Sequence, residues 1–496
     1  MKSFVKNLIK SILFLAALLI CIFVATVVVR RKDSAFKYDD FFDKAAKNQI
    51  DVLFIGSSHV INGINPTVLF EEYGITSYNM GGHGSVMQAT YWELMEALQY
   101  CKPKYVVVDT FLLQKDYQYL DVMYEDSSED DRRTSVDQLH LNMDVWPLND
   151  LKIAAVKDLI KDKDIQKEFL FDFIKYHGRW DELDHNDYKA LTGTEERNNL
   201  FGAEMRYGME LTPGIYPNPE DSDGLGGDTV GEDYLRRIID ECQKNDIGII
   251  VTFLTCSATT DDKRATDSAR IISEEYDVPF FNMQELGVVD LYTDLNDTGH
   301  MNAMGAMKAT RFVGDILSKD GDMVDHRGDD AYRDWQEKSD AFYRNIYELA
   351  VSSDNIYQQL NYLSSGDVSA VLYINDESQA FRDNQIQRLI HNFTKTPKIY
   401  HTDGPYIMIN DVRSGKTYEA SEAESLDGIE TSLGTMHYQP VEHLFRLLYS
   451  DEDPDTNYLY DDSKIDYDIQ IITYDNDTGE VLSHEYYRSY GCDYEK

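Results

Sequence analysis

Three short segments of this chain carry residue types that together can perform acyl transfer. The apolar run Asp51-Val-Leu-Phe-Ile55 ends in Gly56-Ser57-Ser58-His59. Glycine permits a tight turn off a strand, and a serine there brings its hydroxyl to the strand's carboxyl end, where it can act as a nucleophile. A serine in that place can equally be a helix cap. The second segment, Asn79-Met-Gly-Gly-His-Gly84, follows the run Ile75–Asn79. Backbone amides of a glycine-rich turn can approach a developing oxyanion closely; the alternative is an ordinary strand-to-helix turn that needs positive φ. The third is Asp297-Thr-Gly-His300, continued by Met301-Asn302. Aspartate and histidine three residues apart can lie side by side, so that the carboxylate fixes the imidazole's tautomer and the imidazole accepts a serine proton. Alone, this spacing also fits a solvated turn.

The elements that must position these segments alternate in kind. Short apolar runs at Asp51–Ile55, Ile75–Asn79, Lys104–Asp109, Ile247–Leu254 and Val278–Met283 read as strands. Ser85–Tyr100, Tyr234–Lys244, Ala265–Tyr276 and Asn302–Leu317 read as amphipathic helices. Fully apolar strands between helices imply a parallel sheet covered on both faces. The expected fold class is α/β, a three-layer α/β/α sandwich with a doubly wound parallel sheet. An insertion at about 114–230 starts with the acidic Glu125–Arg133, continues through helical stretches such as Leu151–Lys163, and closes in Pro213–Gly227. Insertions at the carboxyl ends of strands usually shape the ligand site. Within it, Tyr176-His177-Gly178-Arg179-Trp180 either lines an acceptor site or is a helix end packing Trp180. His59 is expected to be structural, and Asp294 either caps the loop at Asp297 or is solvated. Lys319–Asp340 is polar and reads as a boundary, followed by a helix over Ala341–Leu363. The expected division is 1–32 anchor, 33–340 α/β domain and 341–496 a smaller α+β domain. In the last, Tyr474–Gly479 and Ile409–Gly415 read as hairpin turns.

Composition narrows the classes of function. Across 496 residues there are 47 Lys and Arg against 89 Asp and Glu, a formal net charge of −42. Such a surface repels phosphate backbones and speaks against nucleic-acid binding. Five cysteines do not make a disulfide scaffold, and Cys101 and Cys242 read as small unpaired hydrophobes. No metal-ligand spacing or dinucleotide motif occurs, and the acidic runs Glu129–Asp131 and Asp451–Asp453 read as solvated loops. Ser11–Val29 is an uncharged run flanked by Lys2, Lys6 and Lys10 and by Arg30, Arg31 and Lys32. Its length matches a membrane-spanning helix and it lacks a small-x-small cleavage site, so it reads as an uncleaved anchor. The expected orientation places the amino terminus inside and the acidic body outside the cell membrane.

Taken together, the three segments resemble the SGNH, or GDSL-type, hydrolase superfamily. Gly56-Ser57-Ser58 stands where that family reads Gly-Asp-Ser, which implies Ser58 as nucleophile and places Ser57 at the family's Asp. Gly84 matches the oxyanion glycine of the second block, and Asp297 and His300 match the last. The third block's Asn has no counterpart in Val108-Asp109-Thr110-Phe111. With Asn65-Pro66, Asp294 and Asn302, the sequence is similar to membrane-anchored SGNH-like envelope proteins, such as those of teichoic-acid D-alanyl transfer and alginate O-acetylation. The resemblance implies a serine acyltransferase or esterase acting on a cell-surface glycan without a cofactor, beside a polytopic membrane O-acyltransferase. It implies an oxyanion site from the backbone amides of Ser58 and Gly84. Candidate substrate-binding residues are Asn79, His177, Arg179 and Trp180. The alternative function is a non-catalytic envelope scaffold or glycan-binding protein on a degenerate fold. The run Tyr467–Val481 resembles a strand–turn–strand of the interleukin-like EMT-inducer domain, which implies a small accessory domain.

Overall fold

Five short strands form the sheet that carries the serine turn: β1 (Val52–Ile55), β2 (Ser77–Asn79), β3 (Tyr105–Asp109), β4 (Gly248–Phe253) and β5 (Phe280–Asn282). All four strand pairings are parallel, in the order β2-β1-β3-β4-β5. Val52 to Ile55 pair with Tyr105 to Val108, and Tyr105 to Asp109 with Gly248 to Thr252. The apolar, β-branched composition of β1, β3 and β4 explains why the strands are buried on both faces. The chain steps from β1 to β2 on one side and then crosses to β3 on the other. In open parallel sheets such a reversal is where ligands usually bind, outside the carboxyl ends of the flanking strands, here β1 and β3. The structure, a computed structural model, describes residues 2–31, 36–114, 129–193, 200–217, 222–226, 229–376, 378–442, 444–448, 456–459, 464, 467–490 and 493–496.

Helices follow the strands as the apolar spacing requires. Val230–Lys244 starts at a capping box between Thr229 and Glu232 and buries Tyr234, Leu235, Ile238, Ile239 and Cys242. Met87–Ala97, Thr260–Glu275 and Ala303–Leu317 are the other long helices among the strands. The inserted segment is largely helical where it is described: Glu129–Met143, Asp150–Leu159, Lys163–Leu170, Asp172–Tyr176 and His185–Lys189. Glu129–Asp131 thus opens a helix, not a loop. The rest of the acidic opening, Glu125 to Ser128, lies outside the described residues, as do Asp451–Asp453, Cys492 and 218–221.

One helix, Lys2–Val29, is long and apolar enough over Phe4–Val29 to cross a membrane, with a mean hydropathy of 3.2. Its last turn is fastened to the insertion. Arg179 Nη1 donates to the Val29 carbonyl at 2.7 Å, and Arg30 pairs with Asp172.

The chain divides into two units, and the division differs from the one expected at 340. The first unit comprises Met1–Met205, Ile215–Val289 and Ala306–Gln336; the second comprises Arg206–Gly214, Asp290–Gly305 and Glu337–Lys496. The polar stretch Lys319–Asp340 is not a free linker, because Trp335 is fully buried and its ring stacks on Phe201 with centroids 3.6 Å apart. The second unit holds two antiparallel sheets. One contains β6 (Ser369–Ile374), β7 (Tyr406–Asp411), β8 (Lys416–Ser421), β13 (Ile469–Tyr474), β14 (Val481–Tyr490) and β15 (Asp493–Glu495), in the order β15-β14-β13-β6-β7-β8. The other contains β9 (Leu426–Thr431), β10 (Gly434–Gln439), β11 (Leu444–Leu448) and β12 (Thr456–Asn457). Alternate residues of both sheets, among them Val371, Ile409, Ile472, Met436, Tyr438 and Phe445, share one core. The β7–β8 and β13–β14 hairpins fall at the expected turns.

Candidate active site

The serine turn is built at the carboxyl end of β1. Gly56 has φ +148°, and a Cβ there would fall 2.8 Å from Val60 Cγ2 and 3.1 Å from Asp109 Cβ, so only glycine lets β1 turn against β3 here. Ser57 caps the helix Ser58–Gly63: its Oγ accepts from the His59 amide at 3.2 Å, and the residue is fully buried. Ser58 is the first residue of that helix and is half-buried, open to solvent where Ser57 is not. His59 is buried and stacks on Phe111 with ring centroids 3.5 Å apart.

The glycine-rich turn lies against the same strand end. Met80 N donates to Phe54 O at 2.7 Å and Gly82 N to Gly56 O at 2.8 Å. Asn79, expected among the substrate-binding residues, braces the turn. Its Nδ2 donates to the carbonyls of Val60 and Ile64 at 2.6 and 2.9 Å, its Oδ1 accepts from Gly81 N at 3.0 Å, and it is buried. Gly84 sits at φ +58°, where a Cβ would collide with the Gln138 side chain at 2.3 Å. Asn142 clamps the turn from the inserted helix Glu129–Met143. Its Oδ1 accepts from His83 N at 2.8 Å, and its Nδ2 donates to His83 O at 2.9 Å and Ser85 Oγ at 3.1 Å. No local spacing ties Asn142 to the turn, so it was invisible in the sequence.

Asp109 closes β3. It accepts from the Leu254 amide at 2.8 Å and the Phe111 amide at 3.4 Å. Burial pushes its carboxyl up to about 7 against these backbone donors.

Asp297 and His300 belong to the second unit, and they meet. His300 Nδ1 is 2.8 Å from Asp297 Oδ1, which also accepts from the amides of Gly299 and His300, both at 2.9 Å. An Nδ1–H on the carboxylate leaves Nε2 as the basic nitrogen. Burial alone would raise the Asp297 carboxyl, but hydrogen bonds from His300 and Gly299 and the charges of His300 and Arg206 bring it below the usual carboxylate range. Arg206 Nη1 reaches Asp297 Oδ2 at 2.5 Å, and Arg206 O accepts from Ala303 N at 2.7 Å. Arg206 lies 91 positions earlier, with no motif to mark it. Asp294 is buried and accepts from Asp290 N at 2.8 Å, and Asn302 Nδ2 donates to Thr293 O at 2.9 Å, so both brace the loop.

Later segments of the same unit hold this loop from outside. Asn361 Nδ2 donates to Thr293 O at 3.0 Å, Gln385 Nε2 to Tyr292 O, and Arg388 lies over the Tyr292 ring at 4.0 Å. Gln358 Nε2 donates to Tyr207 O, beside Arg206, at 2.6 Å.

The segment His177–Trp180 lies at the end of the apolar helix. Arg179 is spent on Val29 O, on Glu182 at 3.2 Å and on Asp187 at 3.6 Å, and His177 Nδ1 is 2.8 Å from Ile174 O. Trp180 is exposed rather than packed as a helix end. Among the described residues no group of three or more His, Cys, Asp or Glu is arranged to hold a metal ion. Cys101, Cys242 and Cys256 are free thiols. Compared with protein-family models the sequence matches none, and no curated protein matches it.

Proposed function

We propose that this protein is a membrane-anchored, extracytoplasmic serine acyltransferase or esterase of the SGNH type that modifies a cell-surface polysaccharide. The Asp297–His300 pair carries the reading, because a carboxylate on Nδ1 equips Nε2 to move a proton. The half-buried Ser58 at the end of β1 and the strand order of the sheet support it. In this reading Ser58 Oγ attacks the acyl carbonyl while His300 Nε2 takes its proton. The amides of Ser58 and Gly84 bind the oxyanion. Collapse expels the first alcohol, which takes the proton back from His300 and leaves an acyl-serine. A glycan hydroxyl then accepts the acyl group in transfer, or water accepts it in hydrolysis.

A fluorophosphonate probe on the full-length protein tests this, since it labels only an activated serine. Labelling is expected on Ser58, with Ser58→Ala and His300→Ala each losing it and Ser57→Ala retaining most of it. Turnover of an acetyl ester should fall by about 10⁴- to 10⁶-fold in either null variant, with the double mutant no worse. The second reading, a scaffold without chemistry, is favoured by one observation: β3 ends in the buried Asp109, with no Asn side chain for the oxyanion. An unlabelled wild type would establish it and end the catalytic proposal.

A further inference from the structure

A groove of about 610 Å³ runs between the apolar helix Lys2–Val29 and the inserted segment. Leu19, Ile22 and Phe23 form one wall, and Leu148, Phe171 and Ile174 stand among the residues of the other. All six are exposed, with Leu148 at 58%, Phe171 at 57% and Ile174 at 44%. One exposed leucine is ordinary, but a contiguous apolar patch marks a surface meant to be covered.

Height along the helix identifies the cover. The inserted helices are fixed to its last turn, through Arg179 on Val29 O and Arg30 on Asp172. From Val29 back to Leu19 a helix descends about 15 Å at 1.5 Å per residue, half the thickness of a hydrocarbon core of about 30 Å. The uncharged run starts at Ser11, so Leu19, Ile22 and Phe23 fall inside that core when Arg30 and Arg31 stand at its edge. The side chains facing them across the groove share their depth. Trp180 is 55% exposed and follows Arg179, at the height of Val29, where tryptophan prefers the membrane interface.

We infer that the inserted segment is a membrane-docking collar: Leu148, Phe171 and Ile174 are submerged in the leaflet on the body's side, and phospholipid acyl chains fill the groove beside the anchor. The inference rests on the reading of Lys2–Val29 as a membrane span. Apolar contact carries the docking, since a chain of net charge −42 gains nothing overall from anionic lipid.

The test uses the full chain, its five native cysteines replaced by alanine, in phosphatidylcholine–phosphatidylglycerol vesicles. Nitroxides are placed one at a time through Leu148→Cys, Phe171→Cys and Ile174→Cys. Leu13→Cys in the apolar helix and Leu286→Cys on an exposed loop serve as references. The three collar positions should match Leu13→Cys, open to oxygen and closed to a water-soluble nickel chelate. Collar positions open to nickel while Leu13→Cys is closed would overturn the collar and leave the anchor standing. Nickel access at Leu13→Cys itself would overturn the anchor and the collar with it. Collar positions closed to both reagents would show protein in the groove and overturn lipid as its occupant. The unsubstituted chain gives an independent measurement. Lipid brominated on its acyl chains should quench emission from Trp180 and from Trp146, which lines the groove, and Trp146→Phe with Trp180→Phe should remove most of that quenching; quenching unchanged by both substitutions would place the collar off the bilayer.

Discussion

Two adjacent serines at the end of β1 have separate fates, and the cap decides between them. Ser57 Oγ already accepts the His59 amide inside a closed turn and is fully buried, whereas Ser58 is half-buried at the first helical position. In the sequence only the resemblance to a Gly-Asp-Ser block separated the two. Asp109 has a measurable consequence of its own. An unfolded aspartate titrates near 3.8, and the buried one titrates near 7. Between those values the native state holds a proton that the unfolded chain releases, so stability falls as pH rises, by up to about 1.4 kcal/mol per pH unit. Above 7 the full penalty persists. Asp109→Asn mimics the protonated form and should raise the thermal midpoint, with the gain growing from pH 5 to pH 8. Thermal unfolding in detergent at the two values checks this; an equal shift at both would show that Asp109 is not the titrating group.

At the level of elements, the strands and the long helices were legible because burial on two faces or on one stripe leaves a periodic trace. What was illegible depends on contacts between distant segments. Lys319–Asp340 looks like a linker by composition, yet Trp335 anchors it in a core through one large side chain. The brace of the histidine loop is likewise spread over Arg206, Asn361 and Gln385, none of which belongs to a motif. These contacts make the loop's order depend on helices Ile356–Leu363 and Asn384–His391. Asn361→Ala with Gln385→Ala removes the two donors that these helices aim at the loop's carbonyls and leaves Asn302. Hydrogen exchange should speed up over 290–305 while the strands β1 to β4 keep their protection, and ester turnover should fall at least tenfold. Unchanged exchange in the loop would show that Asp294 and Asn302 suffice to hold it.

On the scale of the whole molecule, one apolar helix meets a strongly acidic body. Full-length protein is expected to sediment with membranes and to resist carbonate extraction. Protease added to intact spheroplasts should digest the body; a body protected in sealed cells and cut only after lysis would reverse the proposed orientation. Charge repulsion among so many carboxylates also disfavours close self-association at low salt.

The second unit is assembled from three separated stretches of chain, and that has a consequence for its birth. Gln385, which holds Tyr292, emerges 93 residues after its partner. At about 5–20 residues per second, the histidine loop waits roughly 5–20 s for this brace, while the serine turn already has β1 to β3 behind it. The histidine loop is therefore braced only after the carboxyl-terminal part has followed. A ribosome-stalled chain exposing residues only to 340 should be cut by protease within 290–305, and one exposing residues past 490 should resist.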